Sequence, residues 1–286
     1  MMQNKKTIFI LCLVITVLAG IAAAGAFLLE DGRQTMTYET ARGQNAQLYG
    51  GGLYRYDTVF FREGNRASDL LVLVLEIPLL LFILVAAQKG SRRARLLLSG
   101  LLAYILYLYA SLALGTAYNP FFLLYIAILS ASLFAFIANF NMTDMPEDVS
   151  GMPRKSLSVF MIASGLITLV VWCQPLISAL LTGTAPLRMD SYTTMVTYVL
   201  DLAVITPATF ICAAFVLKND PRGYKLALVL LSVIILLVPQ IILATYFQYT
   251  GGVSFSPGEM IGPVAGFLTL GLLAAWLLRA VLKEVN

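Results

Sequence analysis

The sequence predicts an all-α, polytopic transmembrane bundle of eight helices, and three observations carry that expectation. Of 286 residues, 59% are hydrophobic and only 12% are charged, against about 25% charged in a soluble domain. Mean hydropathy is +0.85, which also excludes disorder, since disordered chains are poor in apolar residues. Apolar runs of about 20 residues, each long enough to cross a hydrocarbon core, recur eight times along the chain. Lipid offers the backbone no hydrogen-bond partners, so each run has to satisfy its own N–H and C=O groups as a helix. None alternates with the period of two that an outer-membrane barrel requires.

The runs are residues 7–29, 68–88, 96–117, 120–140, 157–181, 195–217, 225–247 and 260–282. Lys5 and Lys6 precede the first, and Ala22, Ala24 and Ala26 follow its apolar stretch, as in a cleaved signal peptide. The stretch is longer than the 7–15 residues of a signal h-region, so a retained helix is expected. Residues 30–67 form the long exterior segment. It is too short for its own core, and Val59-Phe60-Phe61 suggests a lid packed on the bundle. Its Gly50-Gly51-Gly52 triplet reads as a turn, without the Lys-Ser/Thr that a phosphate loop needs.

Lysine and arginine placement sets the orientation. The side carrying the N-terminus receives thirteen of nineteen basic residues, including all seven lysines; Arg33, Arg42, Arg55, Arg62, Arg66 and Arg188 fall on the other. By the positive-inside rule both termini are cytoplasmic. The net charge of +4 is therefore a topology signal and not a mark of nucleic-acid binding. Tyr109, Tyr118, Trp172, Tyr192, Tyr246 and Tyr249 lie near outer helix ends, where rings anchor at the interface. The connector 141–156 divides the chain into two sets of four helices. It reads as solvated, and Met142, Met145 and Met152 lack the Cys or His partners of a soft-metal site. Helix 2 with Glu76, Pro78 and the basic turn 88–95 faces helix 6 with Asp201, Pro207 and the basic turn 218–225 in a 4+4 parallel repeat, although the acid-to-proline spacings differ.

The candidate chemistry is sparse. Without histidine the chain lacks the commonest general base and metal ligand. Cys12, Cys173 and Cys212 are far apart, so no cofactor, metal or disulfide framework is expected. Of fifteen acids only Glu76 and Asp201 sit at clear membrane depth, about 12 and 9 Å below the outer surface by helical rise. No lysine or arginine lies at that depth, so each carboxyl has to be protonated, hydrated or paired from elsewhere. Asp69, two turns before Glu76 on the same face, extends an acidic stripe outward. Arg55, Arg62 and Arg66 are candidate gate residues able to reach down from the exterior segment. Tyr104, Tyr107 and Ser111 share one face of helix 3, and Gln240 follows Pro239 in helix 7. Interhelical hydrogen bonding accounts for Tyr104, Tyr107 and Gln240, yet with the acids Tyr107 and Gln240 also outline an outward polar cavity bounded by helices 2, 3, 6 and 7.

Tyr56-Asp57-Thr58-Val59, the stretch from Tyr109 to Tyr118-Asn119-Pro120, and Thr197 to Pro207 with its Asp201-Leu202 resemble a family of uncharacterised bacterial multi-pass membrane proteins. The resemblance implies a bacterial cytoplasmic-membrane location and brings no activity. Two functions remain open. One is a carrier or binding protein for a small solute, cation or proton, using Glu76 and Asp201. The other is an accessory, sensor or assembly subunit that recognises a membrane-protein partner through residues 30–67. A lipid-acting enzyme is the least supported class, because no serine, metal or aspartyl-protease pattern is present.

Overall fold

The computed structural model describes residues 2–32, 34–186 and 188–285; Arg33, counted among the exterior cations, lies outside them. Among the described residues, eight helices are long and apolar enough to cross a membrane. They are α1 (Met2–Leu28), α2 (Val59–Gln88), α3 (Arg92–Gly115), α4 (Phe122–Met142), α5 (Arg154–Thr182), α6 (Val196–Leu217), α7 (Pro221–Thr250) and α8 (Pro257–Lys283). The only sheet among the described residues is a hairpin of β1 (Met36–Glu39) and β2 (Asn45–Leu48), which pairs Met36 with Leu48 and Glu39 with Asn45. α3 is the most enclosed helix, with Leu98, Leu101, Leu102, Tyr104 and Tyr109 fully buried.

The start of α2 departs from expectation. The helix begins at Val59, capped by the Thr58 hydroxyl, and not near residue 68. Arg62, Glu63, Asn65 and Arg66 break the hydropathy signal there, but Arg62 and Glu63 are buried among protein and not presented to lipid. The exterior segment accordingly shrinks to the chain between α1 and α2. It forms a cap in which Leu53 and Tyr54 pack against Ala26 and Phe121. Gly50 in the cap's turn has φ +85°, and a Cβ there would sit 1.6 Å from the Gln34 carbonyl oxygen, so only glycine fits. The connector after α4 also differs from a solvated loop: Met145, Val149 and Met152 are buried against α7 and α8 as core residues.

α2 and α6 share a construction. Each contains a five-residue π-helical turn, Val72–Glu76 and Asp201–Ile205, followed by a twelve-residue α-helix, Ile77–Gln88 and Thr206–Leu217. The Ile77 N–H bonds the Val72 carbonyl, and the Thr206 N–H bonds the Asp201 carbonyl, five residues back in each case. The cause follows in the chain. Pro78 and Pro207 supply no N–H and would clash with the carbonyl four residues earlier, and the wider turn accommodates both defects. The match continues through Lys89 and Lys218, then Gly90 and Asn219, both left-handed (φ +95° and +55°), then Ser91 and Asp220, the N-caps of α3 and α7. The offset stays at 129 residues from Val72–Asp201 through Ser91–Asp220.

Helix packing follows the same pairing. α3 packs along α7, α2 against α7, and α6 against α3, as a two-fold relation between α1–α4 and α5–α8 requires. One pair breaks it: α1 lies along α4, whereas α5 only grazes α8.

Candidate functional site

Asp201 opens the π turn of α6 and is half-buried. The Tyr107 hydroxyl of α3 donates to its Oδ1 at 3.0 Å, and the Trp172 indole N–H of α5 donates to its Oδ2 at 2.7 Å. Trp172 stacks on Tyr198 with ring centroids 4.2 Å apart. The carboxyl thus ties three helices together through neutral donors, and no ion pair neutralises it among the described residues. A cavity of about 90 Å³ lies toward the capped end, lined among others by Asn65, Ser111, Thr116, Tyr192, Thr197 and Tyr198. Ser111 is one turn above Tyr107, and Thr197 one turn above Asp201, so the Asp201 cluster forms the layer beneath the cavity floor. The Ser111 hydroxyl has no hydrogen-bond partner.

Glu76 closes the π turn of α2 and is 2% exposed. The Tyr104 hydroxyl lies within hydrogen-bonding reach of its carboxyl, but Oε1 has no partner. A void of about 10 Å³ adjoins Glu76, Tyr109, Ile15 and Ala19, and the Tyr109 hydroxyl is likewise unpartnered. Asp69, two turns nearer the cap and fully buried, accepts a 2.7 Å bond from the Tyr54 hydroxyl, which in turn lies 3.4 Å from the Tyr125 hydroxyl.

Several expectations change at this level. Measured back from the equivalent Lys89 and Lys218, Glu76 lies four residues deeper than Asp201, about 6 Å along the helix, so the acids are not level. They share no cavity: Glu76 borders the small void, and Asp201 does not. Both instead touch α3, through Tyr104 and Tyr107. The polar cavity is bounded by α2, α3, the first turn of α6 and the chain leading into it, without α7, where Gln240 bonds the Ser68 hydroxyl at 2.6 Å. None of the gate arginines reaches Glu76 or Asp201. Arg62 is buried in ion pairs with Glu30 and Glu63, over the Tyr49 ring. Arg66 lies over the Phe27 ring, and Arg55 is exposed and bonds the Gly52 carbonyl. Asp69 is sealed beneath the cap and does not extend a stripe to the surface.

Three of the aromatic anchors are not at an interface: Tyr109 is buried in the core, and the other two bond acids. Trp172 holds Asp201, and Tyr192 donates a 2.7 Å hydrogen bond to Asp57 Oδ1. Tyr118, Tyr246 and Tyr249 remain well exposed, as interface anchors are. Asp57 itself, fully buried where the cap meets α2, also accepts from the Ala117 N–H at 2.9 Å, and its Oδ2 has no partner. Burial pushes its carboxyl up to about 7, against the lowering effect of the Ala117 and Tyr192 bonds. The sequence marks Asp57 only within the Tyr56–Val59 motif, because nothing local distinguishes an acid whose partners lie 60 and 135 residues away.

Fold and site together define a multi-pass membrane protein of eight helices with buried acids linked to α3. Protein-family models, curated proteins and solved structures yield no match to the chain.

Proposed function

We propose that the protein binds a small cation entering from the capped side and acts as its carrier, with Asp201 as the attracting charge. The observation that carries this reading is the polar cavity whose floor lies one turn above a carboxyl with only neutral donors around it. Hydroxyl and amide groups of Asn65, Ser111 and Thr116 supply oxygens for a partly dehydrated cation, and the volume of about 90 Å³ limits it to an inorganic ion or an amine of a few heavy atoms. An ionisable group at membrane depth is a functional candidate by default, since keeping it there is costly. The two π turns, in equivalent positions of the two halves, supply the irregular backbone that transporter sites use. In this reading the membrane is a bacterial cytoplasmic membrane, with the basic end and both termini inside.

The competing reading is a non-transporting accessory subunit. It is favoured by the two hydrogen bonds that already satisfy Asp201 and by a cap stitched to its neighbours by Arg42, which donates to the Asp190 and Tyr192 carbonyls. Reconstituted vesicles separate the two. Sodium, potassium or methylammonium should raise the melting temperature of the wild type and enter the vesicles, and Asp201→Asn should lose both effects while inserting normally. Equal ion responses in wild type and Asp201→Asn would overturn the carrier reading.

A further inference from the structure

We infer that the groove between α5 and α8 is a binding site for one acyl chain of an anionic phospholipid, whose headgroup rests on the basic end of these two helices. The inference is independent of the cation site. The groove encloses about 730 Å³ and is lined almost wholly by apolar groups, among them Val159, Ala163, Ile167, Gly266, Leu273 and Trp276. It occupies the place where the helix packing of the two halves differs: α1 and α4 close on each other, and α5 and α8 do not.

Its length selects the occupant. The lining runs from Ser156 to Ile167 on α5 and from Ala265 to Leu277 on α8, about 17–18 Å at the helical rise. That is close to one leaflet, half of a hydrocarbon core of about 30 Å. A partner helix would need a groove crossing both leaflets; an acyl chain needs one.

Charge fixes the headgroup. The groove's mouth lies where α5 begins and α8 ends. Lys155, Arg279 and Lys283 there are exposed, and among the described residues none is in an ion pair. Glu284, the acid that follows Lys283, packs against Gly151 instead of either cation on α8. Basic side chains at the membrane end of an interhelical groove attract lipid phosphate.

Trp276 provides the readout, because it lines the groove and is one of two tryptophans. Its emission is obtained as the difference between wild type and Trp276→Phe, in bilayers doped with phosphatidylglycerol or phosphatidylcholine brominated on the acyl chains. At equal fractions, the brominated phosphatidylglycerol should quench with an apparent preference of about fivefold or more, the size expected for one basic side chain engaging a lipid phosphate. Lys155→Gln with Arg279→Gln should abolish the preference. Gly266→Leu, at the inner end of the groove, should abolish the preference while Trp276, itself exposed, stays quenched by surrounding lipid of either kind; a side chain there meets no atom within 4 Å of its Cβ, so the variant fills that end without straining the fold. In wild type alone, unlabelled phosphatidylglycerol should relieve the quenching and phosphatidylcholine should not. Equal quenching by the two lipids, or a preference that survives Gly266→Leu, would overturn the inference.

Discussion

α2 and α6 are built on one plan and carry opposite solutions to the same problem. Both widen into a π turn ahead of a proline, both run twelve more residues, and both end in a lysine followed by a left-handed residue. Yet the acid falls at the end of the turn in α2 and at its start in α6. Glu76 consequently faces α1 and α3 inside the bundle with one oxygen unpartnered. Asp201 meets both a phenol and an indole beneath an open cavity. The backbone scaffold is repeated and the chemistry is not, so proline position defines the repeat and the acids sit at different places on it.

Replacing each acid by leucine gives the largest separation between them. Asp201→Leu strands two donors, Tyr107 O–H and Trp172 N–H, at about 1–3 kcal/mol each. A loss of about 2–6 kcal/mol is expected in denaturant unfolding from micelles. Glu76→Leu deletes an oxygen that had no partner and strands only the Tyr104 hydroxyl, so about 1 kcal/mol is expected. Equal losses would mean that Glu76 is as well bonded in the fold as Asp201.

A second test addresses how the two halves are joined. α3 and α7, the helices that follow the twin turns, meet where a Cβ on Gly100 would lie 2.4 Å from both Cβ and Oγ of Ser232. Gly100→Ala should cost about 1–3 kcal/mol by overpacking. Gly262→Ala in α8, with no atom within 4 Å, is the control and should be neutral or slightly stabilising. A neutral Gly100→Ala would show that α3 and α7 can separate at little cost, and the shared interface would lose its role in holding the repeat.

What could be read in the sequence follows from the range of the interactions involved. Eight spans were legible because each apolar run settles its own backbone bonding. The proline and basic-turn signature of the repeat was legible too, but its register was not, because the acid-to-proline spacings differ between the two helices. The buried start of α2 was not legible, since Arg62 and Glu63 look like surface residues until Glu30 and Tyr49 are folded over them. Glu76 and Asp201 stood out as lone acids in apolar runs, whereas Trp172 looked like an interface anchor because its acceptor lies on another helix.

The lead-ins to the twin helices are themselves joined, and acidity tests that joint. Asp57 precedes α2, Tyr192 precedes α6, and the hydroxyl of one bonds the carboxyl of the other. With the folded carboxyl near 7 and an ordinary value of 3.8, the folded chain holds a proton that the unfolded chain has already lost between those limits. Stability contributed by this group is therefore fully present at about pH 4, declines as pH rises toward 7, and is flat above it. Between pH 6 and pH 8 the loss is about 1 kcal/mol. Asp57→Asn still accepts from Ala117 and Tyr192 but carries no ionisable proton, so its melting temperature should fall less than that of wild type over that interval. Parallel curves for the two proteins would mean that Asp57 is ionised and solvated in the folded state, and that the approaches to α2 and α6 are not locked through it.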